Sequence, residues 1–235
     1  MTKIAIFSDI HGNVDALKAI IDDIEKDTFD EVIFLGDLIG VGPCSKECLN
    51  LVMDTNIKMI KGNNEIYQVN KEAADKTFGE EEAKHIEWLH NQLTEEEIKW
   101  IEDLPMSYEK LIGGKLFTFA HFFINEKKDY YLPTTILGDE RLFEASNNAE
   151  TDYMFIGHSH KPFQVINSSV VTCVGSSGCR PNETTFYTIL EVEGKNVKIT
   201  RKEISFDFES LKRRLYKQEY PYRYKFEKYL GIKVN

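Results

Sequence analysis

The 235-residue sequence has no apolar stretch long enough to cross a bilayer, which excludes a spanning helix and leaves no membrane among its expected partners. Cysteine is scarce: Cys44, Cys48, Cys173 and Cys179 are too few for the dense disulfide framework of a small secreted domain. Positive charge is in deficit, with 29 Lys and Arg against 39 Asp and Glu, a net of −10. Such a surface repels polyanions at long range and argues against non-specific nucleic-acid binding. It leaves a small phosphorylated substrate open, because bound metal ions invert the local field. No signal-peptide pattern precedes the run Lys3-Ile4-Ala5-Ile6-Phe7, and a reduced, cytoplasmic protein is the expectation. No linker, repeat or low-complexity tract divides the chain, so residues 1–235 read as one domain.

Apolar runs set the expected framework. Lys3-Ile4-Ala5-Ile6-Phe7, Val32-Ile33-Phe34-Leu35 and Ile57-Lys58-Met59-Ile60 read as strands, and Val14, Leu17, Ile20, Ile21 and Ile24 follow helical spacing. A second helix is expected from about 45 to 54. This alternation implies parallel strands with crossover helices, a sheet type that binds ligands at the carboxyl ends of its strands. From about 65 to 104 the pattern becomes polar and helical, an insertion. In it, Thr94-Glu95-Glu96-Glu97 forms a capping box, Ile98, Ile101 and Leu104 a stripe, and Pro105 a stop. Further strand-like runs lie at 116–120, 154–156, 163–166 and 170–174. A hairpin is expected from 184–192 to 197–204, and a basic, Tyr-rich helix and tail from about 208 to 235. The expected fold is α/β: two mixed sheets packed together with helices outside, a four-layer α-β-β-α sandwich.

Five short motifs stand at the ends of apolar runs: Asp9-Ile10-His11, Gly36-Asp37, Gly62-Asn63, His121 and Gly157-His158-Ser159-His160. Asp, Asn and His offer the oxygen and imidazole donors that hold hard to borderline divalent metals. The pairs two residues apart, Asp9 with His11 and His158 with His160, allow both members to face one ion or two adjacent ions. Asp37 has two oxygens and can bridge. Two ions about 3.5–4 Å apart can activate a water and clamp the oxygens of a phosphoryl group.

In content and order, these motifs resemble those of the calcineurin-like metallophosphoesterases, and the resemblance runs from Asp9 to His160. Ile10-His11-Gly12-Asn13, Gly36-Asp37-Leu38-Ile39-Gly40-Val41-Gly42-Pro43 and Val174-Gly175-Ser176-Ser177-Gly178 are similar to the small bacterial and archaeal phosphodiesterase branch. The resemblance implies two divalent ions. Asp9, His11 and His160 would hold the first, Asn63, His121 and His158 the second, and Asp37 both, with a metal-bridging hydroxide as nucleophile. Manganese, iron, zinc and nickel all suit such donors, and manganese is the expected choice. Asn13, Asn64 and Arg180 are the expected substrate contacts, and Asp37 and Asn64 the expected catalytic residues.

The sequence departs from the family at three points. Gly62-Asn63-Asn64-Glu65 carries Asn64 where the family commonly has His or Cys, and Asn64 cannot supply a proton near neutral pH. That loss matters most for poor leaving groups and favours diesters or phosphoanhydrides; a phosphodiesterase is expected, with a dinucleoside polyphosphate hydrolase or a phosphomonoesterase, a protein phosphatase included, as alternatives. His121 is followed by Phe122-Phe123, two rings expected to narrow the site or offer a stacking face. Glu65 replaces the usual Asp. A non-catalytic scaffold of the same fold is the alternative from another class, disfavoured because all seven ligand positions are intact. Outside the motifs, Cys44 and Cys48, His85 and His90, and Trp88 and Trp100 are expected to be structural. The substrate is expected to be small and phosphorylated, with nucleotides among the candidates, and no feature supports a particular oligomer.

Overall fold

The computed structural model describes residues 1–70, 79–123, 146–147, 150–217 and 219–232. Residues 71–78 of the expected insertion and 233–235 of the expected tail lie outside them. Two mixed five-stranded sheets with flanking helices form the α/β fold that the run pattern predicts.

The first sheet is built around β1 (Thr2–Phe7), which pairs in parallel with β2 (Glu31–Phe34); β2 pairs in parallel with the two-residue β3 (Lys58–Met59). The crossovers are α1 (Val14–Ile24) and α2 (Ser45–Met53). The period of two sorts the side chains. Ile4, Ile6, Ile33 and Leu35 face the second sheet, where they meet Phe117, Phe119 and Phe155. Ala5, Phe7 and Phe34 face the other way, onto Val14, Leu17 and Ile20 of α1 and Leu49 of α2. Burial on both faces explains why these strands read as unbroken apolar runs.

Three helices follow β3: α3 (Asn63–Val69), α4 (Glu80–His90) and α5 (Glu95–Asp103). The capping box of α5 forms as its sequence predicts: Thr94 Oγ1 accepts from the Glu97 amide at 3.2 Å, and the Thr94 amide donates to Glu97 Oε2 at 2.6 Å. The second sheet contains β4 (Ser107–Ile112), β5 (Lys115–Ala120), β6 (Tyr153–Ile156), β7 (Phe163–Ile166) and β8 (Val170–Cys173), in the order β4-β5-β6-β8-β7. β5, β6 and β8 are parallel neighbours. The hairpin β9 (Thr184–Glu193) and β10 (Asn196–Ser205) returns to the first sheet, with β9 antiparallel to β1.

The chain then forms α6 (Phe208–Lys217) and α7 (Arg223–Tyr229). Leu211, Leu215, Phe226 and Leu230 bury themselves against Val41 and Cys179. The basic face of α6 stays half-exposed or exposed, as expected, although Arg214 is tied to Asp15 and Glu47. Cys44, Cys48 and Trp88 pack in the apolar clusters, and no described helix is long and apolar enough to cross a membrane.

Candidate metal centre

Asp9, Asp37 and Asn63 follow the carboxyl ends of β1, β2 and β3, and His121 and His158 follow those of β5 and β6. The seven expected ligands therefore converge along one edge shared by both sheets. Two close approaches make this possible. Gly36 has φ +95°, and a Cβ there would lie 2.5 Å from the Gly62 nitrogen, so a side chain would push apart the loops carrying Asp37 and Asn63. A Cβ on Gly178 would lie 1.9 Å from the Ile10 carbonyl oxygen. That contact holds the loop after β8 against the loop after β1, where Ser176 Oγ and the Gly178 amide both donate to the Asp9 carbonyl at 2.7 and 3.0 Å.

Five ligand positions pay a conformational cost. Asp9, His11, Asp37, His158 and His160 all have φ between 49° and 66°. Asp and His tolerate this left-handed region better than most residues, yet it is sparsely populated for them and costs roughly 1–3 kcal/mol each. Strain of this kind persists where surrounding contacts over-determine the backbone.

Asp37 sits in the middle. Its Oδ2 lies 3.6 Å from His11 Nε2 and 3.4 Å from His121 Nε2. On one side, Asn63 Oδ1 is 3.1 Å from His121 Nε2 and 2.8 Å from His158 Nδ1. On the other, Asp9 Oδ1 is 3.5 Å from His160 Nε2 and 3.8 Å from His11 Nε2. His121 donates from Nδ1 to the Leu35 carbonyl at 2.7 Å, which fixes the ring with Nε2 toward the centre.

The residues fit a bound cation. Asp9 Oδ1 and His11 Nδ1 are buried without a hydrogen-bond partner, whereas buried polar atoms ordinarily have one. His11 Nε2 and His160 Nε2 stand 2.9 Å apart. With a proton on one ring this is an N–H···N hydrogen bond; with both nitrogens unprotonated, both lone pairs are available to a cation. Asp9, His11 and Asp37 form one group with donor atoms within 4.8 Å of one another, and Asp37, His121 and His158 form another.

Electrostatics follow from burial and pairing. Burial lowers the pKa of His11 to about 4, only partly offset by Asp37. Burial and the neighbouring His121 lower His158 to about 4. For His121 burial also opposes the charge, but Asp37, Asp9 and Glu65 together outweigh it and raise it to about 9. Asp37 is pushed up by burial and pulled down further by His121, His11 and Asn64, ending well below the carboxylate range.

The residues flanking the ligands differ from expectation. Asn64 does not project a free amide: its Nδ2 donates to Asp37 Oδ2 at 2.7 Å and its backbone amide to Asp37 Oδ1 at 2.8 Å. Asn13, an expected substrate contact, is fully buried. Its Oδ1 caps α1 by accepting from the Ala16 amide, and its Nδ2 donates to the Gly178 carbonyl. Phe122 is 1% exposed and sets its ring edge-on to His121 and His158. Glu65 accepts from the amides of Asp37, Leu38, Ile39 and Gly62, fixing the loop after β2. Burial and the Asp37 charge nevertheless raise its pKa to about 7. Arg180 lines a cleft beside His158 and His160 and pairs with Glu203 at 3.3 Å.

Three further residues belong to the centre. Cys179 places its Sγ with His11 and His160, all within 4.8 Å of one another. Tyr67 shares a hydrogen bond with Asn63. Tyr229 sets its ring 5.0 Å from that of His160. None follows from motif spacing: the first is a single cysteine, and the others sit on helices whose docking only the fold reveals.

Comparison with known proteins agrees with this geometry. The calcineurin-like phosphoesterase superfamily domain matches residues 2–195. An uncharacterized protein of Methanocaldococcus jannaschii is 33% identical over 166 residues, covering 69% of this chain and 64% of that relative, so the match spans less than two thirds of the relative's length. The crystal structure of a hypothetical protein from Pyrococcus horikoshii OT3 superposes with a TM-score of 0.78 at 18% identity, covering 99% of this chain and 97% of the other. That of a metallophosphoesterase from Sphaerobacter thermophilus gives 0.72 at 21% identity, covering 99% and 100%. These two likenesses establish the fold, and the domain match across most of the sequence places the chain in the calcineurin-like phosphoesterase superfamily.

Proposed function

We propose that the protein is a two-metal phosphodiesterase. Asp9, His11 and His160 would hold one divalent ion, Asn63, His121 and His158 the other, and Asp37 would be shared, with manganese favoured among manganese, iron, zinc and nickel. Such ions supply Lewis-acid charge at a phosphoryl group and lower the pKa of water.

The protein's own side chains position that chemistry. Asp37 supplies negative charge at the middle and is held there by Asn64. The Asp9 carboxylate takes the His158 amide on Oδ2 at 3.1 Å and keeps Oδ1 for the centre. Phe122 closes the back of the site against His121 and His158.

One observation carries the preference for diesters: the amide of Asn64 is committed to Asp37 and has no proton to give. General acid help is worth about 10²–10⁴-fold, and a poor alkoxide leaving group needs it most. Diesters with good leaving groups depart without it. The test is hydrolysis of bis(p-nitrophenyl) phosphate with manganese, before and after chelation, beside glycerol 2-phosphate, a monoester with an alkoxide leaving group. Turnover that chelation abolishes, with the diester faster, is the expected result. No turnover by fully metallated protein overturns the enzymatic reading, and a faster monoester overturns the diester preference.

A further inference from the structure

A cleft of about 440 Å³ opens beside the outer ligands, lined by His158, His160, Lys161, Arg180, Pro181 and Tyr229 among others. A space this large suits a nucleoside-sized group better than a small alkyl group. Its wall combines an aromatic ring with cationic side chains, on a protein whose net charge is −10.

The aromatic part comes from outside the matched family domain, which ends at residue 195. Tyr229 closes α7, between the buried Phe226 and Leu230. Those anchors pack with Val41, from the loop after Asp37, and with Cys179. The docking that seals the C-terminal segment onto the centre therefore also fixes where the Tyr229 ring stands. Lys225, one turn earlier, places its Nζ 5.4 Å from the centroid of that ring. Arg180 is equally fixed: its guanidinium lies over the Phe186 ring at 4.5 Å, Nη2 meets Glu203, and Nη1 has no partner.

We propose that this cleft is the subsite for a ring-bearing substituent of the diester, a nucleoside in chemical class, and that Tyr229 is its aromatic wall and the residue that sets this specificity. The proposal rests on the phosphodiesterase reading above. A base stacks on an aromatic side chain whatever its identity, and the cationic rim suits the charged phosphate beside it.

Two diesters with the same leaving group separate the subsite from the chemistry: thymidine 5′-(p-nitrophenyl phosphate) and methyl p-nitrophenyl phosphate, each with manganese. The wild-type protein should favour the thymidine ester in kcat/KM by about tenfold, mainly through KM. Tyr229→Ala should bring the ratio of the two esters close to one, and Tyr229→Phe should keep it. An equal ratio in wild type and Tyr229→Ala overturns the proposal. So does an equal loss in Tyr229→Phe, because the hydroxyl rather than the ring would then do the recognition. A second readout does not depend on turnover: calorimetric binding of thymidine 5′-phosphate to the manganese-loaded protein, expected about tenfold weaker in Tyr229→Ala. If neither diester is hydrolysed, the phosphodiesterase reading fails, while the binding result still decides the subsite. Unchanged affinity overturns it.

Discussion

The two halves of the proposed metal centre are built differently. The half with Asn63, His121 and His158 is braced by the protein. His121 is fixed by the Leu35 carbonyl, Asn63 by Tyr67, and both rings by the edge of Phe122. The half with Asp9, His11 and His160 is left open. It contains the partnerless Asp9 Oδ1 and His11 Nδ1, and the His160 side chain is 20% exposed against 1% for His121. One half is preorganised by hydrogen bonds, and the other needs a cation and the C-terminal segment to complete it. Preorganised ligands lose less freedom on binding, so the braced half should hold its ion more tightly.

Removing what joins the halves should have the largest effect. Asp37→Ala should cut phosphodiester turnover by on the order of 10³-fold, since it withdraws the shared charge from the reacting group; steady-state rates at saturating manganese measure it. Asn64→Ala should weaken manganese binding about 10–100-fold, because it removes one of the two hydrogen bonds by which Asn64 orients the shared carboxylate. Calorimetric titration should show both ions affected together, and wild-type affinity would mean that Asn64 does not position Asp37.

The C-terminal brace of the open half offers a pH test. Burial lowers the pKa of His85 to about 4 against an ordinary 6.5, and its neutral ring packs against Trp88 and Tyr220 while Nδ1–H donates to the Pro221 carbonyl. Between pH 6.5 and 4 the unfolded chain binds a proton that the folded chain refuses. Stability therefore rises with pH in that window and is lost as pH falls through it. His85 should contribute about 2 kcal/mol of loss between pH 7 and pH 5, and His85→Phe should remove that share from the denaturation profile.

The smallest expected effect compares the halves directly. Manganese titration of His11→Ala should leave one tightly held equivalent. His121→Ala should leave one held about tenfold more weakly. The reverse order would break the comparison.

The framework and the convergence of the seven expected donors were legible in the sequence because buried parallel strands are continuous apolar runs and their ends carry those donors. β4 was not legible. Ser107-Tyr108-Glu109-Lys110-Leu111-Ile112 mixes charge with apolar residues because it is an edge strand, and its Lys110 pairs with Glu31 across the sheets. The local partners of Asn13 and Asn64 were not legible, for a shared reason. A motif gives the residue type but not which local donor or acceptor claims an amide first, and a helix cap and a carboxylate two loops away took these two. Tyr229 and Cys179 were hidden because nothing in their neighbourhoods shows that α7 docks on the centre.

The left-handed backbone at five ligands sets this protein against its own thermal robustness. Glycine at Asp9, His11, Asp37, His158 or His160 would relax a local conformation that these side chains only tolerate. A laboratory selection that rewarded heat resistance alone should thus drift toward glycine at these positions, and would return hardier proteins with no metal centre.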